Sequence, residues 1–302
     1  MNAPKSTSSL AVSALVFNAM VWGISWWPFR DMQSHGLHPL WSTALIYVLA
    51  TLGVLAWKPG AWRLLIQHRG LLMLMAAAGL TNVGFNWAVT IGDVVRVVLL
   101  FYLMPAWSVL IAWAMLGEKP TTGSLLRLLL ALVGVLVVLK SPTSPWPVPN
   151  SMADWLALAG GLFFALTNVL LRKHGNTASE SRMLAMFGGG ALMAIAAALL
   201  GMSAGSVPAP AFAMAGMPVA IGLCLAFMLS NFALQYGAAR LAASTTALVM
   251  LTEILFASVS SAWLDAADFS ARTLIGGSLI VLAALLAALA PAAAEPDVSR
   301  LS

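Results

Sequence analysis

The chain has 302 residues, and Asp, Glu, Lys and Arg together make up 8% of it, against about 25% in an ordinary soluble domain. Hydrophobic residues make up 61% and the mean hydropathy is +0.93, which excludes a protein whose whole surface faces water. The net charge of +5 is no evidence for nucleic-acid binding. Cys224 is the only cysteine, and the four histidines lie between the apolar runs. We therefore expect no disulfide, metal or other cofactor.

Ten apolar segments follow one another along the chain. A membrane-spanning helix needs about 20 mostly apolar residues, and runs of this length exclude the alternating strands of a barrel. The predicted helices lie at about 10–29, 39–57, 70–90, 94–116, 124–140, 152–171, 183–201, 216–237, 242–263 and 273–290. The first segment is longer than the apolar core of a signal peptide, so we interpret it as a retained helix.

The distribution of Lys and Arg predicts the orientation. With the N-terminus inside, eleven of these residues fall in inner loops and four in outer loops. Because cytoplasmic loops carry the excess of Lys and Arg, both termini are predicted to be cytoplasmic. Most tryptophans then fall near the two membrane interfaces, as an aromatic belt requires.

The two halves of the chain have matching break points. An offset of 149 residues places Asn82 on Asn231 and Asn86 on Gln235. Since five helices are an odd number, the second half must enter the membrane from the opposite side. The prediction is an all-α membrane protein of two inverted five-helix repeats, at 1–140 and 152–290, with a periplasmic linker at 141–151 and a cytoplasmic tail at 291–302. Inverted repeats are typical of transporters that hold a substrate near the midplane and expose it alternately to the two sides.

Polar residues inside the spans are concentrated on predicted helices 1, 3, 4, 6, 8 and 9. Asn82, Asn86 and Thr90 form one stripe, because residues four apart share a face of a helix. Either these groups line a cavity, or they form hydrogen bonds between packed helices. We favour a cavity, and the predicted substrate-binding residues are Asn18, Trp22, Asn82, Asn86, Trp87, Tyr102, Phe164, Asn168, Asn231, Gln235 and Tyr236.

Three further features lie in or near this region. Glu253 is the only acidic residue deep within a span, so it is a proton site, a counter-ion for a cation, or a buried acid held by its neighbours. Pro105 predicts a kink in helix 4 that serves as a hinge or is static. Asp93 and Arg96, three residues apart, are interpreted as an outer-rim pair or interface anchors.

Several motifs resemble those of a known family. In the first half they are Tyr102-Leu103-Met104-Pro105, Leu116-Gly117-Glu118-Lys119 and then Gly134. In the second half, Leu251-Thr252-Glu253 matches a position that is acidic in many members of that family. Two positions differ: Ile254 stands where the family often has Pro, and Asp265-Ala266-Ala267-Asp268 stands where it has a Gly-Glu turn. From helix 1 to helix 10 the chain resembles the EamA halves of the drug/metabolite transporter superfamily, and most of all its YddG-type exporters of aromatic and other amino acids. The resemblance implies a multi-pass protein of the bacterial inner membrane.

The residues also limit the substrate. Polyanions would require buried Lys or Arg, and only Arg96 near the rim is a candidate, so a zwitterion with an apolar side chain fits better. The alternative is a hydrophobic cation with Glu253 as counter-ion. An intramembrane enzyme is disfavoured, because no Ser/His pair, carboxylate pair or metal-ligand cluster lies within the spans. The expected partners are a small-molecule substrate and the lipid bilayer, without nucleic acid, and the arrangement is compatible with a monomer.

Overall fold

A computed structural model describes residues 5–117, 121–140, 148–174, 176–210, 216–238, 249–250, 252–264 and 270–288. The regular structure within these ranges is entirely helical. Residues 141–147 of the predicted linker, the predicted tail at 291–302 and residues 242–248 of the ninth predicted helix lie outside them. Residues 148–150 of the linker are not helical.

The first half of the chain forms eight helices in the described residues. They are α1 (Lys5–Ile24), α2 (Trp26–Ser34), α3 (Pro39–Trp57), α4 (Ala61–Gln67), α5 (Arg69–Ile91), α6 (Val94–Phe101), α7 (Met104–Leu116) and α8 (Thr122–Leu139). The described part of the second half forms α9 (Met152–Lys173), α10 (Ser179–Ser203), α11 (Met217–Ala238), α12 (Thr252–Trp263) and α13 (Ala271–Ala288).

Local sequence signals determine several helix ends. Pro39 opens α3, where its missing N–H costs nothing, and the His38 ring accepts a hydrogen bond from the Leu40 backbone N–H. Asp93 caps α6 by accepting from the Arg96 backbone N–H at 2.7 Å. Gly117 ends α7 with φ +70, a left-handed conformation that favours glycine.

The helices agree with most of the predicted spans. Seven helical segments of the described chain are long and apolar enough to cross a membrane: Ser9–Ser34, Pro39–Trp57, Arg69–Ile91, Val94–Met115, Met152–Leu171, Ser179–Ser203 and Met217–Leu234. Two shorter apolar helices, Leu125–Val137 and Ala271–Ala283, correspond to the predicted spans at 124–140 and 273–290. Of the predicted span at 242–263, the structure describes residues 249–250 and 252–263, which are helical.

Two spans are interrupted where the sequence predicts a continuous helix. The first extends from Ser9 to Ser34, and a turn at Ser25 separates α1 from α2. The fourth is broken at Tyr102 and Leu103, and Pro105 lies in the first turn of α7. The predicted kink in mid-helix is therefore a break between two helices, because proline is accommodated better at a helix start than in its interior.

The two halves pack against each other through several pairs of helices. Helix α5 lies against α9 and α10, α1 lies against α11 and α12, and α8 lies against α13. Glycines allow some of these close approaches. A Cβ on Gly84 would lie 2.9 Å from the Leu156 carbonyl oxygen, and one on Gly134 would lie 2.8 Å from the Gly276 carbonyl oxygen. Helices α5 and α9, and likewise α8 and α13, therefore meet nearly backbone to backbone.

Candidate functional site

The first polar contact between the halves joins α1 to α11. The Asn18 side-chain amide donates to the Ser230 carbonyl oxygen at 3.0 Å and to the Ser230 hydroxyl at 2.5 Å. Asn18 is 1% exposed, yet its Oδ1 atom has no hydrogen-bond partner in the described part of the chain. A buried acceptor without a donor is costly, so this oxygen is available to a ligand.

The predicted stripe on α5 is present, and its members differ in their bonding. Asn82 is fully engaged: its Oδ1 accepts from the Tyr47 hydroxyl at 2.6 Å, and its amide donates to the Ala78 carbonyl at 2.8 Å. Asn86 donates to the Thr43 hydroxyl at 3.3 Å, but its fully buried Oδ1 has no partner among the residues described. Asn82 is therefore satisfied within the protein, whereas Asn86 has an acceptor to spare.

Aromatic rings connect the helices around these amides. The Trp22 ring stacks on Phe227 with centroids 4.6 Å apart, and meets Phe85 edge-on at 6.1 Å. The Phe101 ring lies 4.8 Å from Phe85 and 5.4 Å from Phe164. These five rings come from α1, α5, α6, α9 and α11, so predicted residues Trp22 and Phe164 belong to one aromatic cluster contributed by both halves.

Tyr102 and Glu253 form the second polar contact between the halves. The Tyr102 hydroxyl lies 2.9 Å from Glu253 Oε2 and 3.1 Å from the Met250 carbonyl oxygen. Glu253 is 6% exposed and lies in the helical segment that follows residues 249–250. The carboxyl group is therefore anchored at the α6–α12 contact.

Some predicted site residues lie apart from the aromatic cluster. The Trp87 ring meets the His38 ring edge-on at 5.4 Å, and burial lowers the pKa of that histidine below its usual value. Trp87 packs on a separate apolar cluster that contains Leu40 and Ala198. Asn168 is exposed, whereas the preceding Thr167 is buried and donates to the Phe163 carbonyl. The Trp87 ring therefore packs away from the aromatic cluster.

The remaining predicted residues lie on α11 and α7. Asn231 and Tyr236 are half-buried on α11, which also carries Ser230 and Phe227. Gln235 lies on the same helix, and its side chain is outside the described residues. Pro105 lies in the first turn of α7, which follows the break at Tyr102 and Leu103. Both residues of the break are buried.

An ion pair joins the halves at one end of α6. The Arg96 guanidinium contacts both carboxylate oxygens of Asp154, with Nε–Oδ1 2.8 Å and Nη2–Oδ2 3.0 Å. Asp154 is 1% exposed and also accepts from the Asn150 backbone N–H at 3.1 Å. Arg96 lies six residues before Tyr102, about 9 Å along the helix axis. The partner of the Arg96 guanidinium is therefore Asp154 of the other half.

Three residues that complete these contacts are not among the predicted site residues. Phe85 joins the rings of Trp22 and Phe101, and Thr43 and Tyr47 bond the α5 amides. Thr43 and Tyr47 lie on one face of α3, one turn apart, and this spacing is the signal that predicts their common direction. Phe85 carries no such signal, because an aromatic residue next to polar positions of a helix usually packs in the hydrophobic core.

The first half of the chain is similar to a known family of transporters. Residues 9–140 match the sequence profile of the EamA-like transporter family. The matched region covers less than half of the chain; together with the seven apolar helices it indicates a multi-pass membrane protein. No curated protein matches the chain. One crystal structure is 17% identical, covers 93% of this chain and 97% of its own, and superimposes with a TM-score of 0.58, which shows a shared fold.

Proposed function

We propose that the chain exports amino acids with aromatic and other neutral side chains, by alternating access through a site between two inverted five-helix halves. In this proposal it is a YddG-type exporter of the bacterial inner membrane with both termini in the cytoplasm. The observation that carries the proposal is the pair of buried, unpartnered amide oxygens, Asn18 Oδ1 and Asn86 Oδ1, on helices that also supply the aromatic cluster.

The packing of the helices supports the inverted repeat. In the first half, α1 lies against α11 and α12, which contain the third and fourth spans of the second half. In the second half, α9 lies against α5, α6 and α7, which contain the corresponding spans of the first half. Such reciprocal contacts are expected when two repeats are related by a two-fold axis in the membrane plane, with the substrate site at their interface.

The chemistry of the cluster supports an amino acid. An ammonium group offers three N–H donors, and the free oxygens of Asn18 and Asn86 are neutral acceptors suited to it. The rings of Trp22, Phe85 and Phe227 offer an apolar wall for the side chain and a negative ring face for the cation. A polyanionic substrate would meet no buried cation among these residues.

A hydrophobic cation is the second candidate, and Glu253 is the observation that favours it. Its carboxyl group is buried, and an ionised form there would be stabilised by an organic cation. However, Tyr102 has one hydroxyl proton and lies within hydrogen-bond distance of two acceptors, Glu253 Oε2 and the Met250 carbonyl. A neutral Glu253 that donates its own proton to Tyr102 satisfies both contacts, so this geometry favours the amino-acid proposal.

Counterflow in proteoliposomes tests the proposal. Vesicles loaded with unlabelled amino acid are diluted into labelled Trp, Phe, Met or Thr, so that exchange alone drives accumulation. We expect accumulation above protein-free vesicles, and a loss of at least tenfold for Asn86→Leu. If folded protein gives no accumulation of any of these amino acids, the amino-acid proposal is wrong, and the same assay is repeated with lipophilic cations.

Neutralising Glu253 separates the two candidates. We expect Glu253→Gln to bind aromatic amino acids as the parent does, because the glutamine amide can still donate to Tyr102. A protein that uses Glu253 as counter-ion would instead lose its binding of lipophilic cations. Glu180→Gln is the matched control, because Glu180 lies in the first turn of α10 away from the cluster. Loss of amino-acid binding in Glu253→Gln alone would contradict the proposed neutral role.

A further inference from the structure

An apolar groove lies on the outside of the bundle, between α3 and α10. It has a volume of about 310 Å³. Its floor is formed by Gly188 and Ala191 of α10, where no bulky side chain fills the space, and its walls by Leu52 and Leu192, which are more than half exposed. Its hydroxyl-bearing residue, Thr51, already donates to the Tyr47 carbonyl at 2.7 Å. The groove therefore suits a hydrocarbon chain.

The length of the groove matches one leaflet. Along α10 it extends from Leu184 to Ile195, which is about 16 Å along the helix axis. Half of a bilayer's hydrocarbon core is about 15 Å thick. One end is closed by α4, which is held to the start of α10 by the hydrogen bond from the Ser181 hydroxyl to the Ala61 carbonyl at 3.3 Å. The groove thus begins at α4 and extends to about mid-membrane.

Two cations lie at the α4 end. Lys58 precedes α4 and its Nζ lies 5.3 Å from the centre of the Trp57 ring; Arg63 is on α4, with its guanidinium carbon 5.6 Å from the Trp62 ring. Trp62 also lines the groove. Both cations are exposed, and neither forms a salt bridge within the described part of the chain. Tryptophan beside Lys and Arg is typical of the headgroup level of a membrane.

We propose that this groove binds one anionic phospholipid, with an acyl chain along α3 and α10 and its phosphate at Lys58 and Arg63. The charge at one end and the leaflet-long apolar surface together favour this occupant over a helix of another protein, which would not need the cations. The proposal requires only the membrane setting, and it is independent of the transported substrate.

Photo-crosslinking tests the proposal. The full chain is reconstituted in phosphatidylcholine vesicles that contain a trace of phosphatidylglycerol carrying a diazirine in one acyl chain. We expect crosslinks on α3 and α10 near Leu52 and Leu192, mapped by peptide mass spectrometry. The same acyl chain on phosphatidylcholine is the control probe. Equal labelling by both probes would mean that the groove holds ordinary solvating lipid, and would overturn the proposal.

Charge variants sharpen the result. Because one basic side chain near the membrane surface changes the binding of anionic lipid about fivefold, we expect Lys58→Gln and Arg63→Gln each to lower phosphatidylglycerol labelling by about that factor. Arg127→Gln is the matched control, since Arg127 lies on α8, which packs mainly against α13 and also against α6 and α7. Labelling that is unchanged in the Lys58→Gln/Arg63→Gln variant contradicts the proposed headgroup site.

A filling variant tests the apolar part. In folded protein, Ala191→Phe should abolish labelling in the groove while counterflow persists. If this variant does not fold, the charge variants still decide the outcome. Crosslinks that join two copies of the chain through α3 or α10 would show that a second copy covers the groove, and would overturn the lipid proposal.

Discussion

Asn82 and Asn86 lie one turn apart on the same face of α5, but their polar atoms are paired to different extents. Asn82 Oδ1 accepts from the buried Tyr47 hydroxyl, whereas Asn86 Oδ1 has no partner in the described chain. The sequence predicts the common face from the spacing. It cannot predict this difference, because the outcome depends on where Tyr47 and Thr43 of another helix lie.

The same substitution at these two positions should have different effects. Asn82→Leu leaves the Tyr47 hydroxyl without its acceptor, and we expect it to lower the free energy of unfolding by about 1–3 kcal/mol. Asn86→Leu removes an oxygen that is already unpaired and one long hydrogen bond, the 3.3 Å contact with Thr43, so we expect a change below about 1 kcal/mol, together with the loss of counterflow. Thermal unfolding in detergent and counterflow in vesicles measure the two effects. A larger loss of stability in Asn86→Leu than in Asn82→Leu would contradict this assignment.

At the scale of helices, hydrophobicity was the most informative signal. Seven predicted spans correspond to helices long enough to cross a membrane, because an apolar run of this length has few other structures available to it. A kink in the fourth span was predicted from Pro105, and the structure places a two-residue turn at Tyr102 and Leu103. Hydropathy does not distinguish a kinked helix from two helices joined by a turn, and the difference depends on which backbone groups the neighbouring helices can satisfy.

The packing of α5 against α10 gives a prediction for two glycines. A Cβ at Gly189 would lie 1.9 Å from the Met75 carbonyl oxygen, whereas one at Gly222 of α11 would meet nothing within 4 Å. Gly189→Ala must therefore separate α5 from α10, and we expect a loss of about 3 kcal/mol in the free energy of unfolding. Gly222→Ala, the control, should be neutral or stabilising by up to about 1 kcal/mol. Equal unfolding temperatures for the two variants would show that the helices are not this close.

The ion pair between α6 and α9 gives another prediction. Arg96→Gln leaves the buried Asp154 carboxylate without its cation, and we expect a loss of about 3 kcal/mol in the free energy of unfolding. Adding Asp154→Asn should restore part of this loss, because the uncompensated charge is then removed as well. The control is Asp31→Asn, which breaks an exposed contact with His35 at 3.8 Å and should have no measurable effect. Strictly additive losses in thermal unfolding would contradict the coupling of Arg96 to Asp154.

At the scale of the whole molecule, the sequence predicted the candidate site in part. Asn18, Trp22, Asn86 and Phe164 lie on helices that meet at the aromatic cluster. Trp87 lies on the same helix as Asn86, but its ring turns towards His38. A side chain next to a polar stripe is rotated by about 100° around the helix, so nearness in sequence to Asn86 did not imply a common direction. Phe85 illustrates the same limit, because tertiary contacts alone bring its ring to Trp22.

The orientation of the molecule provides the last prediction. Cys224 is the only cysteine and is buried, so a Cys224→Ala protein is a suitable background for single cysteines at Ser34 and Gly60. Both positions are exposed, and they lie at opposite ends of α3. Lys58 and Arg63 adjoin Gly60, and such basic loops remain in the cytoplasm. The test uses a membrane-impermeant maleimide on intact cells whose outer membrane is permeable to the reagent. Under these conditions it should label Ser34→Cys. It should label Gly60→Cys only after the inner membrane is opened. The reverse pattern would place the Lys58 end outside, and with it the proposed lipid groove in the outer leaflet.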